Sequence, residues 1–312
     1  MGALARAGSC SWVLGLLAKR YAFAHPGLVT HVAGMTFDNP LGLAAGWDKN
    51  ARAPLALAAM GFGFLELGTI TLWPEAGHPK PRIFRDFKGQ WVANRVGFAN
   101  DGAERILQRL KDYRQRGLYQ RPLGLSLGKM LASPKERLSG EVAEMIGMLY
   151  PYADYLCVNV SSPNTPSGFV LGRAGYLRRT VEELKVSVER AVGVGRKLPL
   201  FVKLGPMLAP QDIDDAARAL VDAGADGLVV TNSIVTPSGG LSGLPLREIS
   251  LRTTARLRTR LRGKIPIISV GGILTPEDAW QRIVAGADLL EIFSGFVFGG
   301  PDVIKRILSH IV

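Results

Sequence analysis

Residues 267–293 read IISVGGILTPEDAWQRIVAGADLLEIF, and this stretch contains the unit from which the whole fold is predicted. A short apolar run, Ile267–Val270, ends in two glycines, a helical pattern follows over 276–285, and a second apolar run begins at Leu289. Runs that are apolar throughout, without alternation, are typical of parallel strands buried on both faces. The stretch therefore predicts a strand–helix–strand unit of a parallel sheet.

The same unit recurs along the chain from about residue 40. Eight apolar runs each end in a small or polar residue: 41–45, 64–68, 123–127, 155–160, 200–204, 227–231, 267–270 and 289–293. Helical patterns lie between them at 101–116, 139–149, 176–192, 210–223, 251–262 and 276–285. Eight such repeats predict an α/β protein of the (β/α)8 TIM-barrel type. An open doubly wound sheet is the alternative, but no G-x-G-x-x-G follows the first strand.

A short N-terminal helical extension, residues 1–32, precedes the barrel, residues 33–312. Its apolar run, 12–18, is shorter than the ~20 residues that span a bilayer. We expect one helix here, which either lies on a membrane surface with Lys19 and Arg20 at the headgroups or caps the barrel. A signal peptide and the end of a mitochondrial transit peptide are the other interpretations.

Charge and composition exclude several function classes. The 312 residues include 38 basic and 26 acidic side chains, a formal net charge of +12, which attracts anions. The densest basic run, 252–264, follows a helical pattern and indicates a solvated outer face; no nucleic-acid-binding motif accompanies it. Two cysteines and four unpaired histidines predict neither a disulfide framework nor a metal site.

The active site of a barrel lies at the carboxyl ends of its strands. The predicted strand ends are rich in amides, hydroxyls and lysines and short of carboxylates and histidines. Asn94, Asn159, Asn164 and Asn232 fall at or near these ends. A side-chain amide offers a donor and an acceptor together, so several amides in one pocket match a flat ring with alternating C=O and N–H groups. The alternative is that these asparagines only form turns.

Two glycine-rich turns and two lysines indicate an anionic ligand. Residues 270–272 and 293–295 precede helices, where backbone N–H groups can bind a phosphate. Lys203 lies at the end of the fifth strand and needs an anionic partner, such as a phosphate, a substrate carboxylate or a reduced flavin. Lys49 needs one too, although the adjacent Asp48 could pair with it.

The heptapeptide 159–165, NVSSPNT, resembles the catalytic loop of dihydroorotate dehydrogenases, in particular the quinone-dependent class 2 enzymes. The resemblance covers roughly residues 33–312. Further segments match the family in the same order: 44–49, 61–69, 94–98, Lys203, 231–232, 240–243 and 270–272.

This resemblance implies a bound FMN and the oxidation of (S)-dihydroorotate to orotate in pyrimidine (UMP) biosynthesis. A hydride would pass to FMN and the electrons to a membrane quinone. Ser162 would be the base, with Thr165 and Phe98 shaping its surroundings, and Arg85 would lie at a quinone tunnel. Implied substrate-binding residues are Lys49, Asn94, Asn159, Asn164 and Asn232. Implied cofactor-binding residues are Ala45, Gly46, Lys49, Thr69, Ser126, Asn159, Lys203, Thr231, Ser242, Gly243, Gly271, Gly272, Phe293 and Ser294.

Some residues depart from the family pattern. Ser126 and Ala99 each stand where asparagine is usual, Ser233 stands for threonine, and the stretch after Asn232 is short. Two alternatives therefore stay open. One is a related FMN barrel with fumarate or another acceptor, or with another dihydropyrimidine as substrate. The other is a non-catalytic flavin-binding relative. Class 2 membership implies peripheral membrane association, at the cytoplasmic face in a bacterium or at the mitochondrial inner membrane in a eukaryote.

Overall fold

The computed structural model describes residues 2–115, 119, 121–162, 173–193, 195–206 and 209–312. Its strands are β1 (Thr30–Val32), β2 (Met35–Phe37), β3 (Leu41–Leu43), β4 (Phe64–Ile70), β5 (Ile83–Asp86), β6 (Trp91–Asn94), β7 (Leu123–Leu127), β8 (Tyr155–Asn159), β9 (Leu200–Leu204), β10 (Gly227–Val230), β11 (Ile234–Thr236), β12 (Gly239–Gly243), β13 (Ile267–Val270) and β14 (Leu289–Ile292). Its helices are α1 (Gly2–Gly8), α2 (Ser11–Tyr21), α3 (Pro54–Ala59), α4 (Ala103–Gln115), α5 (Leu138–Leu149), α6 (Ala174–Val192), α7 (Pro210–Asp222), α8 (Arg247–Leu261), α9 (Pro276–Val284), α10 (Ser294–Gly299) and α11 (Asp302–Ile311).

Eight parallel strands close into a barrel in the order β3, β4, β7, β8, β9, β10, β13, β14. Each strand pairs with the next one of the series, and β14 pairs with β3 to complete the ring. Each corresponds to one of the eight apolar runs, so the predicted TIM barrel is confirmed. The sequence patterns missed α3, α10 and α11, and α8 begins four residues before its predicted start.

In the barrel interior, large aromatic side chains lie opposite glycines of the neighbouring strands. Aromatic rings on three strands each lie against a glycine of a neighbouring strand: Phe64 against Gly42, Tyr155 against Gly124, and Phe201 against Gly227. A Cβ atom at any of these glycines would lie 2.0–2.3 Å from a ring carbon. The glycines are therefore required because they make room for the rings that fill the barrel.

A hairpin that the sequence analysis did not predict closes the amino-terminal end of the barrel. Strands β1 and β2 pair antiparallel, and the Phe37 ring meets the Phe64 ring edge-on with centroids 5.3 Å apart. Both rings are fully buried, so this end of the barrel is apolar and closed. The expected domain boundary between residues 32 and 33 falls inside this hairpin.

The N-terminal extension forms two helices, α1 and α2, where the sequence pattern predicted one. Both pack against α3, and Arg20 of α2 pairs with Asp302 at 2.9 Å. Leu17 faces the core, whereas Trp12 and Leu16 are 68% and 56% exposed. The extension thus caps the barrel and also presents apolar side chains outward. In the described part of the chain, no helix is both long and apolar enough to cross a membrane.

A second sheet, also unpredicted, has the strand order β11-β12-β6-β5. Its strands come from two long connections, those after β4 and β10. Pairing of β12 with β6 brings residues 239–243 beside residues 91–94, although they are far apart in sequence. The short stretch after Asn232 is thus a hairpin, β11–β12, and not merely a truncated loop.

The basic helix α8 is held by ion pairs. Arg256 and Arg260 both pair with Asp214 of α7, and Arg258 pairs with Asp288. Leu257 of the same helix is fully buried. This basic run is therefore an outer helix face that stabilises the contact between helices.

Candidate active site

A cavity lies at the carboxyl ends of the barrel strands and extends beside the second sheet. It opens to solvent, and about 1060 Å³ of space free of protein atoms lies within it and at its open mouth. The predicted site residues that line it are Ala45, Gly46, Lys49, Thr69, Asn94, Phe98, Asn159, Ser162, Lys203, Thr231, Asn232, Ser242, Gly271, Gly272, Phe293 and Ser294. Seven barrel strands or their following turns contribute to this set, so the closed barrel brings together residues that are up to 249 positions apart (294 − 45).

Five predicted site residues are not in that lining. Asn164 and Thr165 lie outside the described residues. Ser126 is fully buried behind the cavity, where its Oγ lies 3.1 Å from Thr69 Oγ1. Gly243 meets the backbone of β6, and a Cβ atom there would lie 2.2 Å from the Gln90 carbonyl oxygen. Arg85 is on the exposed strand β5, whose Ile83 does reach the cavity.

Hydrogen bonds among the polar side chains fix their orientation. Asn159 Nδ2 donates to Thr69 Oγ1 at 2.9 Å, and Asn232 Nδ2 donates to Asn159 Oδ1 at 3.2 Å. Asn232 Nδ2 also lies 3.2 Å from Ser161 Oγ, which donates to the Lys203 carbonyl at 2.7 Å. Since these contacts run across the ends of four strands, the amides are preorganised before any ligand binds.

Lys49 lines the cavity, and its ammonium group is more acidic than that of an exposed lysine. Burial, followed by the charge of Arg82, lowers its pKa from 10.5 to about 8. The adjacent Asp48 accepts hydrogen bonds from the backbone N–H groups of Asn50, Arg52 and Ala53. Asp48 thus folds the turn, and among the described residues it forms no ion pair with Lys49. An anionic ligand would satisfy Lys49.

Lys203 has protein partners that the sequence analysis missed. Its Nζ lies 3.3 Å from Glu66 Oε1 and 3.4 Å from Glu291 Oε2, and both carboxyl groups are fully buried. Burial opposes the charge of Lys203, but the two carboxylates outweigh burial and raise its pKa. The predicted strand ends do hold few carboxylates, but two carboxyl groups reach Lys203 from within the barrel. Glu66 and Glu291 lie inside strands, and the alternation of side chains along a strand could have placed them in the barrel.

The turn after β13 requires glycine. Gly271 and Gly272 have φ of +109° and +71°, and a Cβ atom at Gly272 would lie 2.3 Å from the Arg247 Cα. Behind the turn, the buried Arg282 donates from Nη2 to the carbonyls of Gly271 and Arg247, at 2.9 and 2.7 Å. A cation behind a glycine turn in the cavity wall suits a phosphate.

Ser242 Oγ and Ser294 Oγ lie 2.9 Å apart, bringing hydroxyls from β12 and the start of α10 into the same wall. Thr231 Oγ1 is buried in the cavity wall and has no hydrogen-bond partner in the structure. A buried hydroxyl without a partner is costly, which indicates that a ligand group completes its hydrogen bond.

Apart from Ser233 and Glu291, the remaining lining is apolar, and none of it was among the predicted site residues. It comes mainly from the second sheet and from turns beside the barrel: Ile83, Val92, Val96, Leu246 and Ile273. Periodicity alone could not find these residues because the sheet that positions them forms only through long-range pairing. Among the described residues, no group of three His, Cys, Asp or Glu side chains is arranged to hold a metal ion.

Fold and cavity together define the class of protein, a (β/α)8 barrel with a polar ligand site at the carboxyl ends of its strands. Comparison with known proteins then gives the family. The family model described as dihydroorotate dehydrogenase matches residues 27–312. The chain belongs to the dihydroorotate dehydrogenase family and is an oxidoreductase.

Individual relatives agree with this family. The chain is 39% identical over 309 residues to the dihydroorotate dehydrogenase (quinone) of Azotobacter vinelandii, covering 95% of this chain and 87% of the relative. It is 41% identical over 297 residues to that of Thermobifida fusca, covering 90% and 78%. A crystal structure of DHODH from Eimeria tenella in complex with ferulenol superposes with a TM-score of 0.86 at 34% identity, covering 96% of this chain and 89% of that one.

Proposed function

We propose that this protein oxidises (S)-dihydroorotate to orotate in pyrimidine biosynthesis, using a bound FMN and passing the electrons to a membrane quinone. One observation carries the proposal: Lys49, Asn94, Asn159, Ser162 and Asn232, from four separate segments, line one cavity. A cation and three amides suit a ring that carries a carboxylate and alternating carbonyl and N–H groups.

The cavity fits FMN on features of its own. The glycine turn and the Ser242–Ser294 pair would hold the phosphate, and Thr231 Oγ1 would bond a ring heteroatom. Ala45, Gly46, Thr69, Asn159, Lys203 and Phe293 would line the ring system. When bound, FMN supplies the hydride acceptor that no side chain of this protein can provide.

Ser162 would take the proton from the substrate ring at its Oγ atom. Ser162 is only 5% exposed and lines the cavity, as Phe98 does. A hydroxyl is a weak base, and a site that excludes water helps it because fixed dipoles replace the solvent around the transferring proton. Thr165, which is outside the described residues, would shape the same surroundings.

Substrate binding would divide between charge and hydrogen bonds. Protonated Lys49 would pair with the substrate carboxylate, while Asn94, Asn159, Asn164 and Asn232 would bind the edge of the ring. The bonds that Asn159 and Asn232 already make leave their orientation fixed. Fixed amides discriminate well, since a ring with the wrong donor pattern would leave buried polar groups unpaired.

The quinone assignment is supported by the curated relatives, which are named for that acceptor. The exposed Trp12 and Leu16 with Lys19 and Arg20 suit contact with an anionic membrane surface. Arg85 and Phe84 are on the exposed strand β5, whose Ile83 lines the cavity, and a quinone would approach the cavity past this strand. We therefore assign a peripheral membrane location.

An anaerobic visible spectrum of the purified protein tests the proposal. A flavin band should be present, bleach on addition of dihydroorotate, and return on addition of a short-chain quinone. Recovery with fumarate but not with quinone would favour the related barrel with another acceptor. A flavin band that dihydroorotate leaves unchanged would overturn the substrate assignment.

A further inference from the structure

Three ionisable side chains of the barrel interior form a cluster directly beneath the cavity. Glu66 on β4, Lys203 on β9 and Glu291 on β14 lie with the ammonium between two fully buried carboxyl groups, at 3.3 and 3.4 Å. Lys203 and Glu291 also line the cavity. Two ionised carboxylates and one ammonium would leave one uncompensated negative charge in the barrel interior, which is a costly arrangement.

Among the described residues, the other groups around the cluster include no second cation. Tyr155 on β8 donates from its hydroxyl to Glu66 Oε2 at 3.4 Å, and Cys157 lies on the same strand. Burial, followed by the charge of Glu66, raises the pKa of both side chains, so both are neutral. The other barrel strands, β3, β7, β10 and β13, carry no ionisable residue.

Glu291 is the carboxyl group with an oxygen to spare. Its Oε2 accepts a hydrogen bond from Lys203, whereas no donor lies within hydrogen-bond distance of its buried Oε1. Both oxygens of Glu66 are engaged, by Lys203 and Tyr155. The pKa of Glu291 is raised well above the ordinary range of a carboxyl group. Burial is the largest cause, followed by the charge of Glu66 and a hydrogen bond between the two side chains.

We propose that Glu66 and Glu291 share one proton, which resides on Glu291 and is donated toward Glu66, so that the cluster with Lys203 carries no net charge at neutral pH. The shared proton satisfies Glu291 and leaves one carboxylate opposite one ammonium. The floor of the cavity is then uncharged overall, with the Lys203 cation held near its surface.

This arrangement has a defined effect on stability. A carboxyl group whose pKa is raised on folding keeps its proton in the native state while the unfolded chain loses it. Between the ordinary glutamate pKa and the raised one, the native state binds more protons, so the free energy of unfolding falls as pH rises. Glu291→Gln supplies a permanent neutral group and removes this dependence.

Unfolding temperatures of the wild type, Glu291→Gln and Glu66→Gln measured from pH 5 to pH 8 test the proposal. The advantage of Glu291→Gln over the wild type should widen steadily with pH. Glu66→Gln should show the same widening because Glu291 then ionises as the single partner of Lys203. The double variant should be strongly destabilised, since the buried ammonium has lost both partners.

Glu141→Gln is the matched control, because Glu141 is also buried but accepts hydrogen bonds from the Met130 N–H and the Ser133 hydroxyl. Its difference from the wild type should not widen with pH over this range. Parallel pH curves for the wild type and Glu291→Gln would overturn the proposal, since they would mean that the native state holds no extra proton.

Infrared spectroscopy of the wild type keeps the proposal testable even if a variant does not fold. At pH 7.5 the spectrum should contain the C=O stretch of a protonated carboxylic acid, shifted by deuterium exchange and absent in Glu66→Gln or Glu291→Gln. A wild-type spectrum without that band would overturn the proposal. These readouts are independent of substrate, so they distinguish its failure from failure of the proposed function.

One further consequence rests on the proposed FMN site. Loss of the shared proton at high pH would place a negative charge beneath the flavin and lower its midpoint potential. A plot of that potential against pH would then show an additional change of slope, or break. Glu291→Gln should lack that break. A break that persists in Glu291→Gln would contradict the role of the shared proton.

Discussion

The two ends of this barrel are built by the same strands and have opposite chemistry. At the amino-terminal end, Phe37 of the hairpin packs against Phe64, and the interior is aromatic and buried. At the carboxyl end, the interior opens into a cavity lined by amides, hydroxyls and lysines. The first end provides stability and the second provides chemistry, the division common to barrel enzymes.

The change of character takes place over two residues of a strand. Side chains two residues apart on a strand face the same side of the sheet. Phe64 and Glu66 therefore both face the barrel interior, as do Phe201 and Lys203. Only about 7 Å of strand separates the aromatic layer from the ionic one. Rigid packing therefore lies directly beneath the groups that must hold a ligand in position.

Ser162→Ala should impair the chemistry of the cavity and leave the amino-terminal end of the barrel intact, and its effect is the largest that we expect. We expect FMN to stay bound and its reduction by dihydroorotate to slow by about 10²–10⁴-fold, the usual contribution of a general base. Stopped-flow absorbance measures this rate. The neighbouring Ser161→Ala is the control and should lose much less, and an unchanged rate in Ser162→Ala would remove it from the mechanism.

Phe64→Ala makes the opposite change. Removing this fully buried ring leaves a void against Gly42, Phe37 and Tyr155 and should lower the free energy of unfolding by about 3–5 kcal/mol. Chemical denaturation measures the loss. Phe84→Ala, at a half-exposed position on β5, should change stability by no more than about 0.5 kcal/mol. An equal loss of unfolding free energy in the two variants would contradict the stabilising role of the amino-terminal end of the barrel.

The charge of Lys49 should make ligand binding in the cavity depend on pH. Because its pKa is lowered to about 8, its charge is present below pH 8 and is lost above it. Orotate affinity should therefore fall by about tenfold per pH unit above pH 8, as measured by titration of the flavin absorbance. Lys49→Met should bind weakly and without this slope, whereas the exposed Lys264→Met should retain it. In the free protein the same shift makes stability rise between pH 8 and 10.5.

The smallest expected effect concerns the Thr231 hydroxyl. Thr231→Val keeps the shape but removes the buried Oγ1 that has no protein partner. FMN affinity should fall by about fivefold, the worth of about 1 kcal/mol for one hydrogen bond, while the FMN-free protein becomes no less stable. Flavin release followed by fluorescence measures this, and a less stable FMN-free variant would show that Oγ1 serves the fold instead.

Much of the molecule could be predicted because its signals are local. The eight buried strands appear as continuous apolar runs, and the glycine turns and asparagines mark their ends. Strands β5, β6, β11 and β12 could not be recognised, because they are short and are stabilised only by pairing between distant connections. Helix α1 was missed for a related reason, since α1 depends on packing against α3 and carries no buried apolar face of its own.

The sequence by itself determined the barrel, the strand ends that carry polar groups, and the family resemblance, because periodicity and short motifs are properties of neighbouring residues. Only the tertiary structure decided that Lys203 lies between Glu66 and Glu291, that Asp48 folds its own turn and leaves Lys49 to the cavity, and that Ser126 and Gly243 support the lining from behind. Charge state and ligand contact depend on what closure of the barrel brings within about 4 Å, and sequence distance does not encode that proximity.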